Sequence, residues 1–194
     1  EVQAGVGRTG KFWGHQHSSA RPDVLITAKG IASGFPISAI AASTELMSKA
    51  WPGSQGGTYG GNAVSAAAGV ATLGVVEKEG LVENSRVRGE QLQAGLKQIQ
   101  QRFPVIGDVR GLGLMQGIEF TAPDGSPDAA TAAAVQQATT EQDLLSLTCG
   151  PAGNVVRLIP ALVVSEEEIA LGLQRFEAAV EAVVSSAPSG TTGA

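Results

Sequence analysis

Lys29 is the residue whose type and setting best suit covalent chemistry. It follows the apolar run at 24–26 (VLI) and lies between Ala28 and Gly30. A lysine at the end of an apolar strand would be poorly solvated. Poor solvation disfavours the protonated form of an amine, and a free amine is a nucleophile for carbonyl groups. The small neighbours would leave space for a planar ligand. On spacing alone, a lysine that reaches solvent from a strand end is the simpler interpretation.

Two further segments suit the recognition of anions. The loop at 56–62 (GGTYGGN) precedes an alanine-rich stretch that predicts a helix. Backbone N–H groups, a hydroxyl group and the positive end of the helix dipole would meet there and would suit a phosphate. Arg157 lies inside the apolar run at 155–159. An arginine in such a strand needs a partner, which is either the carboxylate of a ligand or a structural salt bridge.

Three other patterns carry less weight. Residues 5–10 (GVGRTG) match the dinucleotide-binding pattern GxGxxG, but no helix start follows, and no acidic residue lies about 20 positions later. We interpret this match as accidental. His15 and His17 are too few to form a metal site, so no metal is expected. We expect both histidines to lie in loops. Cys149 is the only cysteine and has no evident base beside it, which favours a packing role.

Composition limits the class of protein. The 194 residues include 13 Lys and Arg against 18 Asp and Glu, a formal net charge of -5, and 43% hydrophobic residues. The acidic balance argues against nucleic-acid binding. No apolar run approaches the roughly 20 residues needed to cross a membrane. A single cysteine favours the reducing cytoplasm. Because the first residue is Glu1 and not Met, we expect a fragment that lacks its N-terminal part.

The hydrophobic pattern predicts an α/β chain. Strands are expected at 24–26, at 36–42 (the latter buried), at 105–110, 114–120, 144–148 and 155–159. Helices are expected from a cap at Ser43 or Thr44 to Ala50, from a cap at Asn62 to about Glu79, at 82–103, at 129–143, and from a capping box at Ser165 and Glu168. A change of pattern near residue 104 indicates a domain boundary.

Four segments follow from this organisation. Residues 1–80 are predicted to belong to a large α/β domain, and 81–104 to form a long connecting helix. Residues 105–185 are predicted to form a smaller α+β domain, and 186–194 a disordered tail.

Taken together, these motifs resemble those of the class III (ω-amino acid) aminotransferases, which are pyridoxal-phosphate enzymes of fold type I. The resemblance is carried by the segments 1–13, 23–39, 56–62, 109–120 and 154–169, in the family's order and at its spacing. It implies the C-terminal part of that fold, namely the end of the large mixed-sheet α/β domain followed by a small α+β domain.

The resemblance also implies roles for individual residues. Lys29 would hold pyridoxal 5'-phosphate covalently, and its released amine would shuttle a proton between the substrate carbon and C4′ of the cofactor. Val2 would pack against the pyridine ring, and Gln3 would hydrogen-bond the phenolic oxygen. Thr58 would reach the cofactor phosphate of the neighbouring subunit, which implies a homodimer with a shared site. Arg157 would bind the carboxylate of 2-oxoglutarate or glutamate, and often that of the donor.

The family pattern is incomplete in this sequence. In the family, an aspartate that pairs with the pyridine nitrogen directly precedes the position of Glu1, and roughly the first half of the chain precedes that aspartate. We therefore expect the fragment alone to be inactive.

The segment at 147–157 is most similar to the 4-aminobutyrate aminotransferases. That similarity implies transfer of the amine of 4-aminobutyrate to 2-oxoglutarate, giving succinate semialdehyde and glutamate. The alternatives are acetylornithine, ornithine or diaminobutyrate as the donor, an aminomutase or decarboxylase of the same fold, and an inactive fragment.

Overall fold

The computed structural model describes residues 1–186, so the tail predicted at 186–194 lies outside the described residues from position 187 onward. In chain order the elements are β1 (Val24–Thr27), β2 (Ala39–Ala42), α1 (Thr44–Met47), α2 (Ala63–Lys78), α3 (Leu81–Arg102), β3 (Ile106–Leu112), β4 (Met115–Phe120), α4 (Ala129–Glu141), β5 (Leu147–Cys149), β6 (Val155–Leu158) and α5 (Glu166–Ser186). Two 3-10 turns, at Gly14–His17 and Lys29–Ile31, complete the set. None of the helices in this part of the chain has the length and apolar character to span a membrane.

The chain divides into two compact units. The N-terminal unit comprises residues 1–87, and the C-terminal unit begins at Arg88. The boundary lies inside α3, within the segment 81–104 that the sequence predicts to connect two domains. The assignment of the two units to a large and a small domain stays a prediction.

In the N-terminal unit, β1 and β2 form an antiparallel pair in which Val24 lies opposite Ala42 and Thr27 opposite Ala39. The prediction of a buried strand at 36–42 was wrong in two respects. The strand begins only at Ala39, and its first three residues are exposed. The reason is that, among the described residues, a two-stranded sheet has no second layer to cover β2.

The two predicted helix caps in this unit are confirmed. Ser43 Oγ accepts a hydrogen bond from the N–H of Leu46 at 3.2 Å. Asn62 Oδ1 accepts from the N–H groups of Val64 and Ser65, both at 3.1 Å. These bonds satisfy donors that have no partner within a helix.

α1 ends at Met47, earlier than the predicted Ala50. Its last turn tightens there, because the N–H groups of Lys49 and Ala50 bond three residues back, to Leu46 and Met47. Bonds of that spacing belong to a 3-10 turn and not to an α-helix.

The C-terminal unit is built on a four-stranded antiparallel sheet in the order β3-β4-β6-β5. One face of the sheet packs against α3, α4 and α5. Its fully buried side chains include Leu96, Ile118, Phe120, Val156 and Phe176. Each such side chain contributes roughly 1.5–3 kcal/mol relative to an exposed one. This core holds the other face of the sheet in a fixed register.

The C-terminal end of α4 determines where strand β5 begins, and the start of α5 carries a cap. The N–H of Leu144 bonds to the carbonyl of Thr139 at 2.9 Å, next to Asp143 at a φ of +54°. This left-handed helix ending turns the chain away from α4, so β5 begins at Leu147 and not at 144. The predicted capping box of α5 is confirmed. Ser165 N–H donates to Glu168 Oε2 at 2.8 Å, and Glu168 N–H donates to Ser165 Oγ at 3.2 Å.

Candidate functional site

Lys29 begins a 3-10 turn directly after β1. The turn is closed by the N–H of Ile31, which bonds to the carbonyl of Ala28 at 3.2 Å, and by the N–H of Ala32, which bonds to that of Lys29 at 3.4 Å. Lys29 has a φ of +47°, in the left-handed region that residues other than glycine rarely adopt. Strained residues of this kind persist where the surrounding structure holds them, and they cluster at functional sites.

The side chain of Lys29 lines a groove of about 450 Å³. The other lining residues are Gly30, Ser33, Gly34, Phe35, Pro36 and Ile37. Lys29 is exposed, so the expectation of a poorly solvated amine was wrong for the described chain. The glycines at 30 and 34 supply no side chain that would cover the ammonium group. The open groove instead leaves room for a ligand beside the amine.

The loop at 1–17 is anchored by the carboxylate of Glu1. Its oxygens accept hydrogen bonds from the N–H of Gly14 at 2.7 Å, the N–H of His15 at 2.9 Å and the Nδ1 of His15 at 3.1 Å. Burial raises the pKa of Glu1, but these hydrogen bonds together outweigh burial and leave the pKa below its ordinary value. An ionised carboxylate therefore closes the loop onto the turn at Gly14–His17.

The same loop carries the two residues that the sequence resemblance assigns to the cofactor ring. Val2 is 38% exposed and Gln3 is half-buried. Between them and Arg8 lies Val6, which is 2% exposed and faces the turn of Lys29, because a Cβ added to Gly30 would lie 3.5 Å from Val6 Cβ. The structure thus brings the loop of Val2 and Gln3 against the lysine turn.

Thr58 is exposed in the glycine-rich loop that leads to α2. Next to it, a groove of about 410 Å³ is lined by Pro36, Ile37, Ser38, Tyr59, Gly60, Gly61 and Asn62. Pro36 and Ile37 also line the groove of Lys29. The two grooves therefore adjoin, with the segment 36–37 between them.

Arg157 lies in a cross-strand row on the face of the C-terminal sheet that is opposite the core. The row runs Arg110, Gly117, Arg157 and Leu147, from β3 to β5. The Nε atom of Arg157 is buried, and among residues 1–186 it has no hydrogen-bond partner. An unsatisfied buried donor of this kind costs roughly 1–3 kcal/mol, which a ligand could recover.

Arg110 shows the opposite situation in the same row. Its Nη1 bonds to Asp108 Oδ2 at 2.8 Å and to Glu119 Oε2 at 2.5 Å. Hydrogen bonds to Asp108 and then to Glu119 raise the pKa of Arg110 above its ordinary value. One arginine of the row is therefore neutralised by its neighbours, whereas Arg157 is left for another partner.

The surroundings of Arg157 are mostly apolar. It lines a cavity of about 620 Å³ together with Leu92, Gln136, Leu144, Leu145, Ser146, Leu147, Leu158, Ile159, Pro160, Val164, Glu168, Ile169 and Gly172. Of the two interpretations left open by the sequence, a structural salt bridge is not found among the described residues. An arginine without such a partner is suited to a carboxylate.

The remaining motifs fall where the sequence indicates. Residues 5–10 form turns and open no helix, which confirms that the GxGxxG match is accidental. His15 and His17 lie in the loop, where His17 Nε2 is 3.1 Å from Thr9 Oγ1. Sequence reasoning missed the anchoring role of Glu1. No short-range pattern marks that role, because its partners lie 13 and 14 residues away.

Comparison with known proteins places these features in a family. The family model described as aminotransferase class-III matches residues 1–180. The 5-aminovalerate aminotransferase DavT of Pseudomonas putida is 40% identical over 178 residues, which cover 91% of this chain and 42% of DavT. The acetylornithine aminotransferase of Synechocystis sp. is 40% identical over 190 residues, covering 95% of this chain and 42% of that protein.

A solved structure supports the fold. The ornithine aminotransferase of Toxoplasma gondii, described with partial occupancy of PLP at its active site, matches with a TM-score of 0.85 and 31% identity, over 95% of this chain and 43% of that one. This likeness confirms the predicted fold class. The chain spans about 42% of the length of the two curated relatives. Because the family model covers nearly all of it, the chain belongs to the class III aminotransferases.

Proposed function

We propose that the protein carrying this chain is a pyridoxal-phosphate-dependent aminotransferase that transfers the amine of 4-aminobutyrate to 2-oxoglutarate. The observation that carries the proposal is Arg157, whose buried Nε has no hydrogen-bond partner among the described residues, while Arg110 in the same row is doubly paired. Both 4-aminobutyrate and 2-oxoglutarate present a carboxylate on an apolar chain. We propose that this chain by itself is inactive.

The described residues fit part of a pyridoxal-phosphate site. Lys29 offers an amine in an open groove, and the braced loop presents Val2 and Gln3 on the neighbouring segment. When bound, the cofactor supplies an electron sink that stabilises negative charge on the substrate carbon.

Lys29 would act at its Nζ atom, first by holding the cofactor and then by taking a proton from the substrate carbon and returning it. Val2 would cover one face of the cofactor ring, and the amide of Gln3 would donate to its phenolic oxygen.

Thr58 supports the proposal of a homodimer. It is exposed in the glycine-rich loop that leads to α2. We propose that it serves the cofactor of a second subunit and that the dimer is cytoplasmic.

A second donor remains in competition, because the relative from Synechocystis is named an acetylornithine aminotransferase. The donors can be separated by steady-state rates of the full chain, meaning the whole protein that carries these 194 residues. The donors to compare are 4-aminobutyrate, 5-aminovalerate, acetylornithine, ornithine and diaminobutyrate. A dominant rate with acetylornithine would overturn the choice of 4-aminobutyrate. Formation of one glutamate per 2-oxoglutarate consumed would exclude an aminomutase or a decarboxylase.

The role of Lys29 is tested by Lys29→Ala in the full chain. We expect loss of the visible absorption band of the bound cofactor and loss of turnover, because no other amine lines the groove among the described residues. Lys49→Ala is the matched control, since Lys49 is exposed on the same unit and pairs only with Glu45 at 3.5 Å. Continued transamination by Lys29→Ala would refute the proposal.

A further inference from the structure

Val6 combines two features that rarely occur together. It has a φ of +56°, and its side chain is 2% exposed. A β-branched residue in the left-handed region is a genuine outlier, because its branched Cβ crowds the backbone. Such strain persists only where the surrounding structure determines the conformation more strongly than the residue itself does.

The loop around Val6 is fixed on both sides. Before it, the Glu1 carboxylate binds the N–H groups of Gly14 and His15. After it, the Oγ of Ser85, which is completely buried in α3, donates to the carbonyl of Arg8 at 2.9 Å. The segment that contains Val6 is therefore held by hydrogen bonds at both ends.

The side chain of Val6 meets the turn that carries the lysine. A Cβ built on Gly30 would lie 3.5 Å from Val6 Cβ and 3.8 Å from its Cγ2, so the Val6 side chain lies beside the side of Gly30 from which a side chain would project. Lys29, immediately before Gly30, is itself in the left-handed region at +47°. The loop and the lysine turn thus each contain one residue other than glycine with a left-handed backbone, Val6 and Lys29.

We propose that Val6 is a positioning residue for Lys29. Its buried side chain supports the turn Lys29–Ile31 and fixes the direction from which the lysine enters its groove. The inference rests on the proposed role of Lys29 as the residue that holds the cofactor. Val2, Gln3 and Val6 belong to the same loop, and Val6 lies beside the turn that carries Lys29. Val6 therefore also links that lysine to Val2 and Gln3.

The physical consequence concerns the range of positions that the amine of Lys29 samples. Without the Val6 side chain, the turn can move toward an ordinary backbone conformation, and Lys29 Nζ then samples a wider volume. A misplacement of about 1 Å can cost roughly 100-fold in rate when a reaction depends on alignment. Binding of the substrate carboxylate by Arg157, in the other unit, does not depend on this contact. The expected effect is therefore on kcat and on the capture of the cofactor, with KM for 2-oxoglutarate unchanged.

The test uses the full chain with two substitutions, Val6→Gly and Val6→Ala. Glycine accepts a φ of +56° without strain, so Val6→Gly removes the side chain and keeps the backbone. Val6→Ile, which keeps a bulky branched side chain, is the conservative rescue. The matched control is Val76→Ala in α2, because Val76 is 4% exposed in the same unit.

Each variant is freed of cofactor, mixed with pyridoxal phosphate and quenched with borohydride at increasing times. Borohydride supplies the hydride that converts the reversible link at Nζ into a stable secondary amine, and peptide mass spectrometry gives the fraction of Lys29 that carries it. We expect labelling of Val6→Gly and Val6→Ala to be roughly 10- to 100-fold slower than that of the wild type. Val6→Ile and Val76→Ala should label at the wild-type rate.

Three results would overturn the proposal, and they can be told apart. Wild-type labelling rates in Val6→Gly would show that the side chain does not position the lysine. Loss of folded protein in both Val6→Gly and Val6→Ala, judged by thermal melting, would assign Val6 to overall stability. Absence of labelling at Lys29 in the wild type would refute the proposed function and this inference with it.

Discussion

Arg157 and Arg110 show how neighbours decide what a residue does. Both arginines lie on the same face of the sheet and in the same cross-strand row, separated by Gly117. Arg110 has two carboxylates within hydrogen-bond distance, whereas among residues 1–186 the buried Nε of Arg157 has no partner. Gly117 has no side chain, and a Cβ added there would lie 3.2 Å from Val155 Cγ1, so a valine side chain and not a charged group lies beside it. The free guanidinium is therefore the one that suits a ligand.

This contrast supplies a prediction at the residue scale. In the full chain, Arg157→Ala should raise KM for 2-oxoglutarate, because a hydrogen-bonded charged pair is worth roughly 1.5–3 kcal/mol, or on the order of 10- to 150-fold. Arg110→Ala is the control, and its surface ion pairs should affect KM little. Steady-state kinetics at varied 2-oxoglutarate measures both. An unchanged KM in Arg157→Ala would count against the carboxylate role.

At the scale of elements, α4 is held at its start by Asp128. The Oδ2 atom of Asp128 accepts from the hydroxyl of Thr131 at 2.6 Å, and its Oδ1 accepts from the Thr131 N–H at 2.9 Å. The bond from the Thr131 hydroxyl, followed by that from its N–H, lowers the pKa of Asp128. The ionised cap therefore stabilises the helix next to the sheet that carries Arg157.

The cap predicts a pH-dependent stability. A lowered pKa in the folded state means that the contribution of Asp128 is complete above the unfolded value near 3.9 and is lost as the pH falls through the folded value. Asp128→Ala should cost about 1 kcal/mol at pH 7. Urea titrations from pH 7 to pH 3 should show this difference shrinking toward acid. Asp128→Asn, which keeps a capping oxygen, should lose less, and a difference independent of pH would contradict the assignment.

The packing of α3 supplies a second element-scale prediction. A Cβ added to Gly89 would lie 2.4 Å from the backbone of Gly113, in the turn between β3 and β4. Because backbone atoms cannot move aside as a side chain can, Gly89→Ala should destabilise the protein by about 1–3 kcal/mol. Gly172→Ala in α5 meets nothing within 4 Å and should instead stabilise its helix by roughly 0.5–1 kcal/mol. Chemical denaturation compares the two, and equal effects would refute the close approach.

At the scale of the whole molecule, the two units differ in how they are built. The C-terminal unit has one continuous core formed by a four-stranded sheet and three helices. The N-terminal unit leaves many large apolar side chains exposed, including Val24, Ile26, Phe35, Ile40, Trp51, Val64 and Val70. Its two strands pair only with each other among the described residues. The residues predicted to hold the cofactor thus lie in the less covered unit.

Hydrogen exchange measured on the 194-residue chain by itself tests this difference. Amide groups in β4 and β6 should exchange more slowly than those in β1 and β2, because the central strands are bonded on both edges and covered by the core. Exchange followed by mass spectrometry resolves these peptides. Equal protection of both units would show that the N-terminal unit is stabilised by contacts that the structure does not display.

Much of the molecule follows from short stretches of sequence. The caps at Ser43, Asn62 and Ser165 and the long helix α3 are where the sequence predicts them, and strands β3 and β4 lie within two residues of their predicted bounds. The reason is that caps and periodic patterns involve residues no more than a few positions apart, so the chain itself brings the partners together. The family motifs, and with them the candidate residues Lys29, Thr58 and Arg157, are readable for the same reason.

Only the tertiary structure decided which of these residues are free and which are held. The exposure of Lys29, the pairing of Arg110 and the position of Val6 beside Gly30 each depend on segments that meet through folding. Glu1 bonds to a turn 13 residues away, and Ser85 holds a carbonyl 77 residues away. Contacts at such separations leave no periodic trace, because the position of each partner is set by the packing of whole elements and not by the residues between them.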